Sequence, residues 1–132
     1  MLNIYGPPGS GKTYYAREEK EKNKNLFFIE TLKIETLSEN YGVHQNNIDI
    51  LKNILKYCIK KNINFIVIDE ADYIFKNSEN IEIETSNIFK KLILKNIKIL
   101  LISQIKLNFT EKQLNASDKI DKEKIKLFFN NI

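Results

Sequence analysis

Residues 6–13 read Gly6-Pro7-Pro8-Gly9-Ser10-Gly11-Lys12-Thr13, and no other stretch restricts the fold of this chain as tightly. Every fixed position of the pattern G-x-x-x-x-G-K-[ST] is filled. An apolar run over residues 2–5 precedes it, and a helical pattern over 13–22 follows it at once. The glycines allow backbone conformations closed to other residues, so successive N–H groups can turn inward on an anion. The helix that begins near Gly11 aims its positive end at the same point. The bland alternative is a chance turn between a strand and a helix. Eight matched residues in the required context argue against it. The loop is therefore expected to hold nucleotide phosphates, with Gly6 through Thr13 as the binding residues. Lys12 would reach the β- and γ-phosphates, and the Thr13 hydroxyl would ligate Mg²⁺.

The remaining pattern alternates strands with helices, which predicts an α/β fold around a parallel sheet. Further strands are expected at 26–29, 65–68, 97–102 and 125–129. Ile48, Leu51, Ile54, Leu55, Cys58 and Ile59 recur at three- and four-residue steps and predict one amphipathic helix. A second is expected over 84–95. Thr110 and Gln113 have the spacing of a capping box, which suggests a short helix over 110–114. Residues 31–46 are polar and irregular. The 132 residues fit one domain, residues 1–132, with no repeat and no linker.

A second chemical signal lies at 65–70. Four apolar residues, Phe65-Ile66-Val67-Ile68, run into Asp69 and Glu70. A fully apolar strand is what a sheet centre covered on both faces requires. Asp69 at its end would hold Mg²⁺ through water, and Glu70 would polarise an attacking water. Acidic residues after a strand also cap helices, so the pair gains its meaning from the phosphate loop upstream. Ala71 and Asp72 complete a D-E-A-D string, although a helicase of that type needs a second motor domain.

Together the two motifs resemble the Walker A and Walker B elements of P-loop NTPases, in the branch that carries a catalytic glutamate. That resemblance implies a three-layer core of about five mostly parallel strands with helices on both faces, binding ATP with Mg²⁺. It also implies an extra strand between the two motif strands, ending in a polar sensor residue. Residues 97–102 followed by Ser103-Gln104 fit that strand, with Gln104, or Ser103, expected at the γ-phosphate or the lytic water. Tyr14 and Tyr15 would either flank an adenine or ribose or pack the first helix.

Three machines share these motifs. A small-molecule kinase gathers several arginines around the phosphates, whereas Arg17 is the only arginine here. An AAA+ loader resembles the chain in both motifs but adds a C-terminal helical lid, and the sequence ends at the expected last strand. The lidless branch is similar in Lys12-Thr13-Tyr14-Tyr15-Ala16, in the Asp-Glu pair, in the Ser-Gln strand end and in Leu114-Asn115-Ala116-Ser117. That branch contains HerA/FtsK-type DNA translocases, viral DNA-packaging ATPases and phage-morphogenesis ATPases. It implies a homo-oligomer acting on DNA and is ranked first, with the loader second. A nucleotide-dependent protein-binding switch of little turnover is the alternative from another class. The lidless enzymes carry an arginine ahead of the sensor strand, where this chain has Lys90, Lys91 and Lys95. Arg17 is then either a finger reaching a neighbouring subunit or a solvated surface charge. Otherwise a lysine or a partner protein supplies the cation.

Composition adds exclusions. The net charge is +4, but 20 of the 21 basic residues are lysine, beside 22 Ile and 17 Asn. That bias is what an AT-rich genome writes, so basicity says little about a polyanionic partner. Apolar runs reach only four residues, too short for a membrane helix, and no leader is expected ahead of a loop that starts at Gly6. A single cysteine forbids an internal disulfide and fits a reducing, cytoplasmic location. Cys58 is expected in the core. His44 stands alone, which argues against zinc, and Lys52, Lys56, Lys60 and Lys61 form the polar face of their helix.

Overall fold

The computed structural model describes residues 1–33, 47–75, 81–117 and 119–130; His44 lies outside them. Five strands form one sheet: β1 (Leu2–Tyr5), β2 (Leu26–Glu30), β3 (Phe65–Asp69), β4 (Lys98–Ser103) and β5 (Lys112–Asn115). Their spatial order is β2-β3-β4-β1-β5, and all four pairings are parallel. The helices are α1 (Lys12–Lys22), α2 (Asn47–Lys60), α3 (Ile83–Leu94) and α4 (Lys122–Asn130), and a 3-10 turn spans Ala71–Tyr73. This is the three-layer α/β core expected from the sequence, with β4 inserted between the two motif strands.

Alternation along the central strands builds two cores. Ile66 and Ile68 of β3, with Ile99 and Leu101 of β4, face Leu51, Leu55 and Cys58 of α2 and Ile88, Phe89 and Leu92 of α3. Phe65, Val67, Leu100 and Ile102 face the other way, toward Tyr15 and Ala16 of α1 and Ile125 and Phe129 of α4. Each fully buried aliphatic side chain contributes roughly 1.5–3 kcal/mol, so the centre of the sheet is the most stable part of the molecule. Its C-terminal edge, where β1, β3 and β4 end together, is thereby a rigid platform. The turn into β4 uses Asn96 at φ 61, a left-handed position that asparagine tolerates, and Ile97 N–H donates back to Leu92 O at 3.1 Å.

Two elements correct the sequence reading. Residues 125–129 are helical, within α4. Ile125 and Phe129 are buried while Leu127 is 59% exposed, so the buried spacing is i,i+4 and not the i,i+2 of a strand. Phe129 stacks tilted on Phe65 at 5.2 Å. The fifth strand is instead β5, where a short helix was expected. The Thr110–Gln113 pair belongs to the turn entering it: Gln113 Nε2 donates to Thr110 O at 2.7 Å, and Thr110 Oγ1 donates to Leu107 O at 2.8 Å.

Lys52 also departs from expectation. It is buried rather than solvated, and its Nζ lies 3.1 Å from Asp49, 2.9 Å from Glu82 and 3.0 Å from Glu84. Lys56 joins Glu84 at 3.6 Å. The cation clasps the start of α2 to the start of α3, and its three carboxylate partners raise its pKa.

Candidate functional site

The site grows from the end of β1. Gly6 N–H donates to Ser103 O at 3.2 Å, tying the loop to the tip of β4. On the other side Ala116 N–H donates to Tyr5 O at 2.8 Å, and a Cβ on Gly6 would stand 2.8 Å from Ala116 O. Only glycine fits there. The loop continues through Gly9 at φ 86 and Gly11 at φ 89, both left-handed. The first intrahelical bond of α1 runs from Tyr15 N–H to Gly11 O, leaving the N–H groups of the first turn free of helical acceptors.

Lys12 is 7% exposed, and its ammonium is held inside the curl of the loop. It donates to Gly6 O at 2.8 Å, Pro7 O at 2.7 Å and Ser10 Oγ at 2.9 Å. Burial lowers its pKa, against the opposing pull of Asp69 and Asp72. Gly6, Pro7 and Ser10 therefore stand behind the lysine, while Pro8, Gly9, Gly11, Lys12, Thr13 and Tyr14 line a cavity of about 310 Å³. Asp69, Glu70, Asp72, Tyr73, Ile102, Ser103 and Gln104 complete its wall. The two tyrosines divide: Tyr14 is 68% exposed at the cavity, and Tyr15 is buried in the core.

Thr13 Oγ1 donates to Asp69 Oδ2 at 3.1 Å and approaches Oδ1 at 3.3 Å. The hydrogen bond sets the Thr13 hydroxyl and the Asp69 carboxylate side by side at the cavity, where Thr13 would ligate Mg²⁺ directly and Asp69 would hold one of its waters. Among the described residues no group of three His, Cys, Asp or Glu forms a metal cage. Mg²⁺ takes one or two protein oxygens and completes its shell with phosphate and water. Burial raises the Asp69 pKa, opposed by hydrogen bonds from Thr13 and Glu70 N–H and by the charge of Arg17.

Glu70 is one of two non-glycine residues at positive φ among those described, at φ 54 and ψ 44. A non-glycine residue held there costs of order 1–3 kcal/mol. Two donors on its carbonyl stabilise that conformation: Thr31 Oγ1 at 2.9 Å and Tyr73 N–H at 3.0 Å. The bend turns the chain from β3 into the 3-10 turn and leaves Glu70 at the cavity wall. Its carboxyl pKa is raised by burial first, then by Asp69, Asp72 and Glu30.

At the tip of β4 the two sensor alternatives separate. Ser103 is buried, and its hydroxyl bridges inward between Asn3 Nδ2 and Ile105 O. Gln104 is exposed at the cavity, its N–H donating to Asp72 Oδ2 at 3.3 Å. Arg17 lies on the outer side of α1, 64% exposed and 3.9 Å from Glu30. Three contributors escaped sequence reasoning. Thr31 opens a segment whose sequence is irregular, Asp72 closes a string without a local role, and Asn3 sits within an otherwise apolar strand. A larger cavity of about 1120 Å³ opens elsewhere, among Met1, Ile93, Leu114 and Phe128. It shares no residue with the loop and the acidic strand end, where the phosphate chemistry is concentrated.

Residues 2–100 match the sequence profile of the ATPase family associated with various cellular activities (AAA). No curated protein matches the chain significantly. Among solved structures, the replication initiator DnaA bound to AMPPCP and single-stranded DNA superposes with a TM-score of 0.56 at 20% identity, over 96% of this chain and 45% of that one. AMPPCP-bound DnaA from Aquifex aeolicus gives 0.54 at 20% identity, over 96% and 45%. PCH-2 of C. elegans gives 0.51 at 14% identity, over 90% and 36%. The chain thus spans less than half the length of these structures, and at such identities the likeness is one of fold. The family match confirms a P-loop NTPase; it does not extend to the lidless translocase subtype.

Proposed function

Because the chain belongs to the ATPase family associated with various cellular activities (AAA), we propose that it binds MgATP through the 6–13 loop and hydrolyses it with Glu70 as the base. The observation that carries this reading is the meeting of Lys12, Thr13, Asp69, Glu70 and Gln104 around one cavity, from three separate strand ends. Lys12 and the first turn of α1 hold the phosphate oxygens, with the ammonium fixed where the loop curls. Thr13 would hold Mg²⁺ directly and Asp69 through water, and the ion would supply neutralisation of the phosphate charge. Glu70 accepts a hydrogen bond from the attacking water and orients it in line. Its raised pKa makes it a better proton acceptor than an exposed glutamate. Gln104 donates to the γ-phosphate side of the site.

We place the work of this ATPase on DNA, in the manner of a replication initiator or loader, and in a homo-oligomer. The AAA match and the likeness to DnaA support the loader over packaging or translocation. The nucleotide-dependent switch remains the second reading, favoured by one observation. The only arginine of the sequence, Arg17, lies beside Glu30 on the outer side of α1 and away from the cavity wall, so within one subunit the site has no arginine at the phosphates. Hydrolysis measured with and without single-stranded DNA separates the two. Stimulation by DNA, lost in Glu70→Gln with ATP binding retained, supports the loader. A DNA-insensitive rate near background refutes it in favour of the switch.

A further inference from the structure

Asn3 lies in the middle of β1 with its side chain fully buried, between the core residues Leu2 and Ile4. Its amide is directed at a single turn. Oδ1 accepts from Leu107 N–H at 2.8 Å, while Nδ2 donates to Ser103 Oγ at 2.9 Å and to Leu101 O at 3.1 Å. The Ser103 hydroxyl passes the chain on to Ile105 O. One side chain therefore holds residues 103 to 107 at their start, middle and end. Gln104 is the exposed residue of that turn at the phosphate cavity, and its backbone N–H donates to Asp72 of the same wall. The ladder of β1 with β4 and β5 is made by backbone groups, to which the Asn3 amide adds one bond to Leu101 O, so a branched apolar side chain of the same heavy-atom shape at position 3 leaves the ladder itself in place. What the amide adds is directional: a satisfied buried network specifies one conformation of the turn.

We infer that Asn3 is a positioning residue for the γ-phosphate side of the site, acting through the 103–107 turn on Gln104. The inference rests on the ATP reading of the site, and Asn3 itself touches no reacting atom. The test compares Asn3→Leu, Gln104→Ala and the double variant by equilibrium binding of MgADP and of a non-hydrolysable MgATP analogue. Gln104→Ala is expected to reduce the preference for the triphosphate about tenfold, the worth of one good hydrogen bond to a charged group. Asn3→Leu should give a similar reduction, with MgADP binding little changed, and the double variant should be no worse than Gln104→Ala alone. Equal losses for both nucleotides, or losses that multiply in the double variant, overturn the inference. Should Asn3→Leu fail to fold, Asn3→Asp enters the same cycle, keeping the acceptor for Leu107 and losing both donors. A wild-type chain that binds neither nucleotide refutes the ATP reading instead. Amide exchange then decides the link to the turn: faster exchange at Gln104 and Leu107 in the variant, with Leu100 unchanged, supports it, and unchanged exchange overturns it.

Discussion

Replacing Gly6 by alanine tests how tightly the loop is seated. The added Cβ would lie 2.8 Å from Ala116 O and 2.9 Å from Ala116 C, whereas carbon–oxygen contacts settle near 3.3 Å or beyond, so the backbones must part by about 0.5 Å. Neither side yields easily. Both obstructing atoms are main chain, and that chain is pinned by the Ala116 N–H bond to Tyr5 O at 2.8 Å and by the pairing of β5 with β1. Overpacking of this kind costs about 1–3 kcal/mol, and the backbone conformation at φ +157 adds a further cost of order 1–3 kcal/mol. A loss of about 4 kcal/mol follows. Gly9→Ala is the internal control, since its Cβ meets nothing within 4 Å and only the left-handed φ of 86 must be accommodated. That costs about 1–2 kcal/mol. For a chain of this length each kcal/mol lowers Tm by roughly 3–4 °C. Thermal unfolding followed by circular dichroism should then show Gly6→Ala roughly 14 °C below wild type and Gly9→Ala roughly 5 °C below, on the same scaling. A Gly6→Ala melt within 3 °C of Gly9→Ala, set against that scale, would refute the tight contact with Ala116.

Glu70→Gln should lower the hydrolysis rate about 10²–10⁴-fold with ATP affinity retained, as measured by phosphate release and equilibrium binding. The same variant tests the pKa argument. A carboxyl raised in the folded state contributes stability below its unfolded pKa and loses it as pH rises through the folded value. Glu70→Gln should accordingly melt above wild type at pH 8, and the difference should shrink as pH falls toward about 4.5 and be lost below it; a constant difference would contradict the shift. Lys52→Met leaves Asp49, Glu82 and Glu84 facing one another, so Tm should fall. Because Lys52 lowers the Glu84 pKa, the gap to wild type should narrow on acidification, and added salt should narrow it too. Cys58 is fully buried with its thiol pushed up to about 11, so a thiol reagent at pH 8 should label it only as fast as the core opens. Rapid labelling of the folded chain would place it outside the core.

The strands that could be read from the sequence are those whose apolar runs are buried on both sides, because composition there follows burial. Phe65 to Ile68 is the clearest case. β5 could not be read in this way: Lys112 and Asn115 are exposed at the sheet edge, and it is a strand because β1 offers it a partner. At α4 the alternation of Ile125, Leu127 and Phe129 imitates a strand, and only the sheet beneath decides that Ile125 and Phe129 are the buried pair. The site divides on the same principle. Lys12, Thr13, Asp69 and Glu70 belong to contiguous motifs whose chemistry is local, so their spacing identifies them. Asn3 and Thr31 act through partners far along the chain, Leu107 and Glu70, and nothing in their immediate sequence marks them.

The sheet order also has a consequence for how the molecule comes into being. β1 ends at the phosphate loop within the first thirteen residues, yet its two neighbours are β4 and β5, which pair Leu2 with Leu100 and with Lys112. Bringing such distant segments together limits folding speed more than it limits final stability. A nascent chain can pair β2 with β3 early, but Gly6 lacks its acceptor until Ser103 has been made, and lacks the packing of Ala116 until later still. Of the described strands β1 comes first in the chain, and its partners come last. Nucleotide is therefore a ligand of the assembled sheet and not of the early β2–β3 pair, so its binding rewards completed pairing without guiding the first steps.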